Sequence, residues 1–168
     1  MSTHSAKASD LFRKGYNCAQ SVVGSFSDYL SIPFETAIQI SSSFGGGIGR
    51  LRETCGAALG MLIILGMTDG YTDPDDIELK ASYYEKVQCL MKEFKSRLGS
   101  YHCRELLGGN VSDSPIPTPR TEEFYLTRPC ERIIMTAVEI LDDFYDNRFP
   151  CRSASDSTKK SLQIPEKW

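Results

Sequence analysis

Leu51-Arg-Glu-Thr-Cys-Gly-Ala-Ala-Leu-Gly-Met-Leu-Ile-Ile-Leu-Gly-Met67 is the stretch on which the fold turns. Wound as a helix it is apolar over most of its circumference, which predicts a helix over roughly 51–67 at the centre of a bundle. Gly56 and Gly60 are one turn apart on one face, with Cys55 and Leu59 beside them. Small residues at that spacing let a second backbone approach closely. The continuous apolar run from Met61 to Met67 falls far short of the ~20 residues a membrane-crossing helix needs. No membrane insertion is expected.

Outward from this segment the sequence reads as helix after helix, with no convincing strand. Ser9 and Asp10 are suited to cap a first helix running to about Leu30, with Leu11, Phe12, Ala19, Val22, Val23, Phe26 and Leu30 on its stripe. Cys18 falls on that stripe. Pro33 fits the first turn of a second helix ending near Ser43, and Gly45, Gly46, Gly47 and Gly49 stop it. Asp75 or Asp76 caps a fourth helix to about Leu98, and Gly99 ends it. A short helix over 101–107 carries Cys103, and a proline-rich loop follows. Pro129 then opens a last long helix to about Asn147, with Cys130 in its first turn. The expectation is an all-α fold: a single-domain bundle of about five main helices plus a short one over 1–147, and a polar tail over 148–168.

Composition narrows the function. The chain has 168 residues with 40% hydrophobic and 24% charged, an ordinary globular balance for one domain. Lys and Arg number 19 against 22 Asp and Glu, a net charge of -3. That argues against nucleic acid bound on a broad basic face. No secretory h-region is visible at the N-terminus, so the cytoplasm is the expected location.

The six cysteines stand out: Cys18, Cys55, Cys89, Cys103, Cys130 and Cys151. A domain this large needs no disulfide staples, which favours reduced, metal-bound or redox-active thiols. Helical phase puts Cys18, Cys55, Cys103 and Cys130 on apolar faces or small-residue contacts. It puts Cys89 on the solvated side of its helix, and Cys151 falls in the tail. Each of the four could be a small hydrophobe filling space, and periodicity alone does not show that they meet. There is no CxxC and the only histidines are His4 and His102, so neither a zinc ribbon nor a histidine-rich site is indicated. Lys14, Arg52, Arg104, Arg128 and Arg132 lie near the four thiols in sequence, and positive neighbours favour thiolate. Cys130, at a helix start, makes the most specific case.

Four glycines within Gly45–Gly49 exceed what one helix stop requires. FGGGIGR matches neither a P-loop nor a dinucleotide fingerprint. It reads as backbone that turns sharply, with N–H groups able to face an anion or a sulfur, or else as a tight helix-to-helix corner. Gly45, Gly46, Gly47 and Gly49 are therefore candidate cofactor-binding positions.

Asn17-Cys18-Ala19-Gln20, Phe44-Gly45-Gly46-Gly47-Ile48-Gly49-Arg50, Cys55-Gly56-Ala57-Ala58-Leu59-Gly60, Cys103-Arg104-Glu105-Leu106-Leu107-Gly108 and Arg128-Pro129-Cys130 together resemble the C-GCAxxG-C-C family of redox-active proteins. The similarity spans roughly residues 10 to 145 in matching order. The family is recognised by four cysteines, which fall here on Cys18, Cys55, Cys103 and Cys130, the same four that helical phase selects. The resemblance implies redox activity and carries no substrate with it.

Two chemistries can use four such thiols. They can ligate a metal centre, above all an iron–sulfur cluster with glycine N–H groups tuning it, or else zinc. Alternatively two of them form a reversible disulfide, with Cys130 the candidate nucleophile and Cys55 the resolving thiol. A helical binding protein with structural cysteines and no cofactor is the third reading. The expected partner is a redox protein of unspecified kind, and a homo-oligomer is left open.

Overall fold

The computed structural model describes residues 2–30, 32–149 and 151. The fold is all-α, and the described residues contain no strand, only an isolated antiparallel bridge between Thr54 and His102. The helices are α1 (Thr3–Arg13), α2 (Cys18–Ser25), α3 (Phe34–Ser41), α4 (Gly56–Asp69), α5 (Ile77–Leu98), α6 (Cys103–Leu106), α7 (Glu122–Thr127) and α8 (Cys130–Tyr145). None is long and apolar enough to cross a membrane.

The apolar helix α4 sits centrally as expected, against α2, α5 and α8. Met61, Ile64 and Leu65 from α4 are fully buried with Val22 and Val23 of α2, Leu90 and Phe94 of α5, and Ile134, Ile140 and Leu141 of α8. The closest approach is α2 on α4. A Cβ added at Gly60 would lie 3.0 Å from Val22 Cβ and 3.1 Å from the Ala19 carbonyl oxygen. The glycine lets the two backbones meet. Helix α1 packs on α2 and α8, and is tied to α8 by Arg13 and Ser9 donating to Glu131 at 2.7 and 2.6 Å.

Several boundaries differ from the sequence expectation. The first helix is two helices, because Gly15 takes φ +99° after α1 and Asn17 starts α2 with a capping box to Gln20. The apolar stripe runs through the break because both pieces face one core. Helix α1 begins at Thr3, capped by Ser2, rather than near Ser9. Helix α4 begins at Gly56 and not Leu51, since Arg50 and Arg52 have φ of +72° and +63°. Thr121, whose hydroxyl accepts from the Phe124 N–H at 3.2 Å, caps the short α7 that the sequence reading left unassigned after the proline-rich loop.

The largest correction concerns Cys89 and Cys151, which form a disulfide with Cα atoms 5.7 Å apart. Cys89 is half-buried and Cys151 is buried, although the first was placed on a solvated face and the second in a polar tail. The cause lies just after α8. Asn147 adopts φ +59° and the Arg148 N–H donates to the Asp143 carbonyl, so the chain folds back. Phe149 packs on Phe144, with ring centroids 6.1 Å apart, and Cys151 reaches α5. The remainder of the tail, from 152 onward, lies outside the described residues.

Candidate functional site

The four cysteines singled out in sequence each begin a helix. Cys18 is the first residue of α2, Cys103 of α6 and Cys130 of α8, and Cys55 is the N-cap of α4. Helix starts carry unpaired N–H groups and the positive end of the helix dipole, both of which favour negative sulfur. All four thiols are free, and they line one small apolar cavity with Gly56, Leu106, Leu107 and Ile133. The distribution over four helices is therefore a convergence.

Backbone pairing brings Cys55 and Cys103 together. The Cys55 N–H donates to the Tyr101 carbonyl at 2.8 Å, and the Cys103 N–H to the Glu53 carbonyl at 2.6 Å. Residues 52–55 and 101–104 thus run as a short antiparallel ladder into their helices. The glycine run supplies the other wall. From Gly46 to Arg50 every residue has positive φ, a left-handed turn in which Ile48 and Arg50 are the side-chain-bearing members. At Gly47, with φ +73°, an added Cβ would lie 2.6 Å from Cys103 Cβ, so the loop closes on that cysteine only as glycine. Gly45 packs on the Asn17 side chain, where a Cβ would meet Cγ at 2.6 Å. The Gly46 N–H faces the Cys18 sulfur. Gly49 turns the chain with φ +54° and faces open space. The run is thus a close-packed wall, with one N–H directed at sulfur.

The thiols differ in acidity. The Cys130 thiol, as hydrogen-bonding partner, holds Cys18 down to about 7 against its burial, helped by the Gly46 N–H and the Arg120 guanidinium. The reciprocal effect pushes Cys130 up: as the donor to the Cys18 sulfur it holds its own proton, and burial reinforces this. Burial, followed by the negative charge on Cys18, pushes Cys55 up to about 12. Burial raises Cys103 too, opposed by a hydrogen bond from Arg52. The arrangement favours the thiolate at Cys18 and the protonated form at the other three. Among the described residues, no three Cys, His, Asp or Glu side chains are arranged to hold a metal ion. The space between the sulfurs, about 10 Å³, is that of a single water molecule. The four-sulfur donor set has the chemistry of a cluster site, but the cavity in this arrangement does not accommodate a cluster.

Sequence reasoning missed two contributors and under-read a third. Asn17 positions Cys18 through its cap and donates to the Ser42 carbonyl at 2.9 Å; the Asn-x-x-Gln spacing of a capping box was the readable signal. Arg120 comes from the proline-rich loop and donates to the Tyr16 carbonyl at 3.1 Å. Arg128, noted only as a sequence neighbour of Cys130, acts on Cys103. Lys14, also noted as a neighbour, is not among the groups that shift Cys18.

Helices whose first turns present a cluster of free thiols define a class: the helical, cysteine-centred redox proteins. Over residues 16–144 the chain matches the family described as "Putative redox-active protein (C_GCAxxG_C_C)", and it belongs to that family. No curated protein and no solved structure matches it.

Proposed function

We propose that the protein is a thiol–disulfide exchange protein whose working pair is Cys18 and Cys130. The observation that carries this reading is the meeting of these two free thiols, each at a helix start, on one small cavity, with Cys18 held down to about 7 by its Cys130 partner. The Cys18 thiolate attacks one sulfur of a substrate disulfide; a mixed disulfide forms and the other substrate sulfur leaves as a thiolate. The Cys130 thiol then gives up its proton to solvent or to that leaving group, and its sulfur attacks the Cys18 sulfur. The Cys18–Cys130 disulfide forms and the second substrate thiolate departs. Two electrons pass from the pair to the substrate, and another dithiol must reduce the pair for a further turnover.

The sequence reading gave the nucleophile to Cys130 and the resolving role to Cys55. The acidities favour Cys18 as nucleophile, with Cys130 resolving. A nucleophile works best with a pKa near the ambient pH, and Cys55 stays protonated far above it. A second reading keeps the donor set in view: four sulfurs on one cavity suit iron–sulfur ligation, and zinc by the same count. That reading requires the four side chains to move apart.

One preparation decides between them. The protein is purified without oxygen; iron, zinc and acid-labile sulfide are measured per chain, and the reduced form is then titrated with a disulfide and mapped by mass spectrometry. A metal-free protein that gains a Cys18–Cys130 bond supports exchange. Stoichiometric iron and sulfide, lost in Cys18→Ser, would replace exchange with the cluster reading.

A further inference from the structure

Arginines surround the thiol site, and none of the nearest has a carboxylate partner. Arg50 and Arg52 leave the left-handed turn and donate to the carbonyls of Ser114 and Ser112 at 2.5 and 2.8 Å. Arg120 donates to the carbonyls of Phe12 and Tyr16 and lies over the Phe12 and Phe124 rings, at 4.4 and 4.7 Å from their centroids. Arg128 lies over the Phe124 ring at 5.5 Å. Among the described residues none of these four is in an ion pair, whereas Arg13, Arg97 and Arg148 each meet a carboxylate. Carbonyls and aromatic faces satisfy the guanidinium donors without cancelling their charge. Arg52 and Arg128 both act on Arg50 and on Cys103, and Arg120 acts on Cys18. A chain of net charge -3 therefore concentrates uncancelled positive charge at its thiols.

Arg128 also belongs to an open groove of about 420 Å³ along α7 and α8, with Tyr125, Glu131, Arg132, Met135 and Glu139. Two acidic groups face it. Glu131 is occupied by Arg13 and Ser9, and Glu139, at the far end, accepts from Ser5 at 3.5 Å. No cysteine lines the groove, and Arg128 is the member that also acts on a thiol, Cys103. The groove's size suits a small molecule rather than a protein surface.

Resting on the exchange reading, we infer that the substrate is a small disulfide bearing carboxylates. Its anionic arms lie at Arg120 and Arg128, the arginines that act on Cys18 and Cys103, while its S–S bond meets the Cys18 thiolate. Ordinarily a thiolate and an anionic disulfide repel each other. The unpaired arginines reverse that penalty and raise the encounter rate, an effect that salt weakens.

The test uses the reduced full chain, with the Cys89–Cys151 bond verified intact by mass spectrometry. Oxidation of the pair is followed by stopped flow with three disulfides: glutathione disulfide (anionic), 2-hydroxyethyl disulfide (neutral) and cystamine (cationic). The expected order is anionic, then neutral, then cationic. The anionic-to-neutral ratio should be about tenfold or more at low salt and collapse near 0.5 M. Arg128→Gln should cut that ratio at least about threefold, Arg128→Lys should retain most of it, and Lys92→Gln on the exposed face of α5 should not move it. Equal rates for the three disulfides, or cystamine reacting fastest, overturns the inference and leaves exchange standing. Failure to react with any disulfide overturns exchange itself. Should Arg128→Gln fail to fold, the salt dependence of the unmodified chain decides.

Discussion

Two groups of cysteines in this chain share a side chain and little else. Cys18, Cys55, Cys103 and Cys130 stand at helix starts, free and facing a common cavity. Cys89 lies well inside α5 and is bonded to Cys151, beyond the end of α8. A thiol at a helix start can meet backbone N–H groups and the positive dipole end; here Cys18 gains from its Cys130 partner and the Gly46 N–H, while burial raises the other three. A thiol in the middle of a helix meets neither, since those N–H groups are spent on the helix itself. Backbone position gathers the four free thiols at one cavity, and the hydrogen bonds at that cavity select Cys18 among them.

The comparison can be broken most directly by deleting a member of each group. Cys18→Ser should lower disulfide exchange at least about a hundredfold, whereas Cys89→Ser should leave the rate close to the parent's. Equal losses from the two changes, measured by stopped flow, would erase the distinction. Acidity gives the next largest effect. Below about pH 7 the Cys18 thiolate is protonated, so alkylation by iodoacetamide should fall about tenfold per pH unit and level off above it. Cys55 should not join until far higher pH, and peptide mapping after labelling separates the two.

Stability should respond in the opposite sense. Breaking Cys89–Cys151, which closes a loop of sequence separation 62, should cost about 2–4 kcal/mol in urea denaturation with little change in exchange. Gly47→Ala places a Cβ on Cys103 at positive φ and should cost about 2–3 kcal/mol, together with a loss of exchange. Asn17→Ala, which removes the cap of α2, should cost about 1 kcal/mol and shift the Cys18 titration upward. Its effect is the smallest, and it isolates positioning from chemistry.

Much of this was legible in the sequence. The apolar circumference of α4 forecast its central place, and the Gly56/Gly60 pair forecast a close backbone approach, which α2 makes at Gly60. Helical phase picked out the four cysteines of the shared cavity. What periodicity could not register was where helices stop. The stripe through Leu11, Phe12, Ala19 and Val22 survives a break at Gly15–Asn17, because two helices facing one core keep a common apolar side. The helix-start position of Cys18 was hidden for that reason, although the Asn17 and Gln20 side chains that mark it were in view. Cys89 was misjudged because its immediate neighbours are polar, while its partner arrives from 62 residues away. Arg120 likewise reaches the thiols through tertiary folding alone.

The threading of the site through the chain has a consequence during synthesis. Cys130 is translated roughly 110 residues after Cys18, some 5–20 s at ordinary translation speeds. Throughout that interval the nascent polypeptide carries sulfurs whose companions have not yet been made, and six cysteines allow 15 fully paired arrangements. Cys18 and Cys55 are both present before Cys89, and Cys151 comes last of all. Each sulfur meets its own companion only if the earlier thiols stay unpaired until Cys130 and Cys151 have been made.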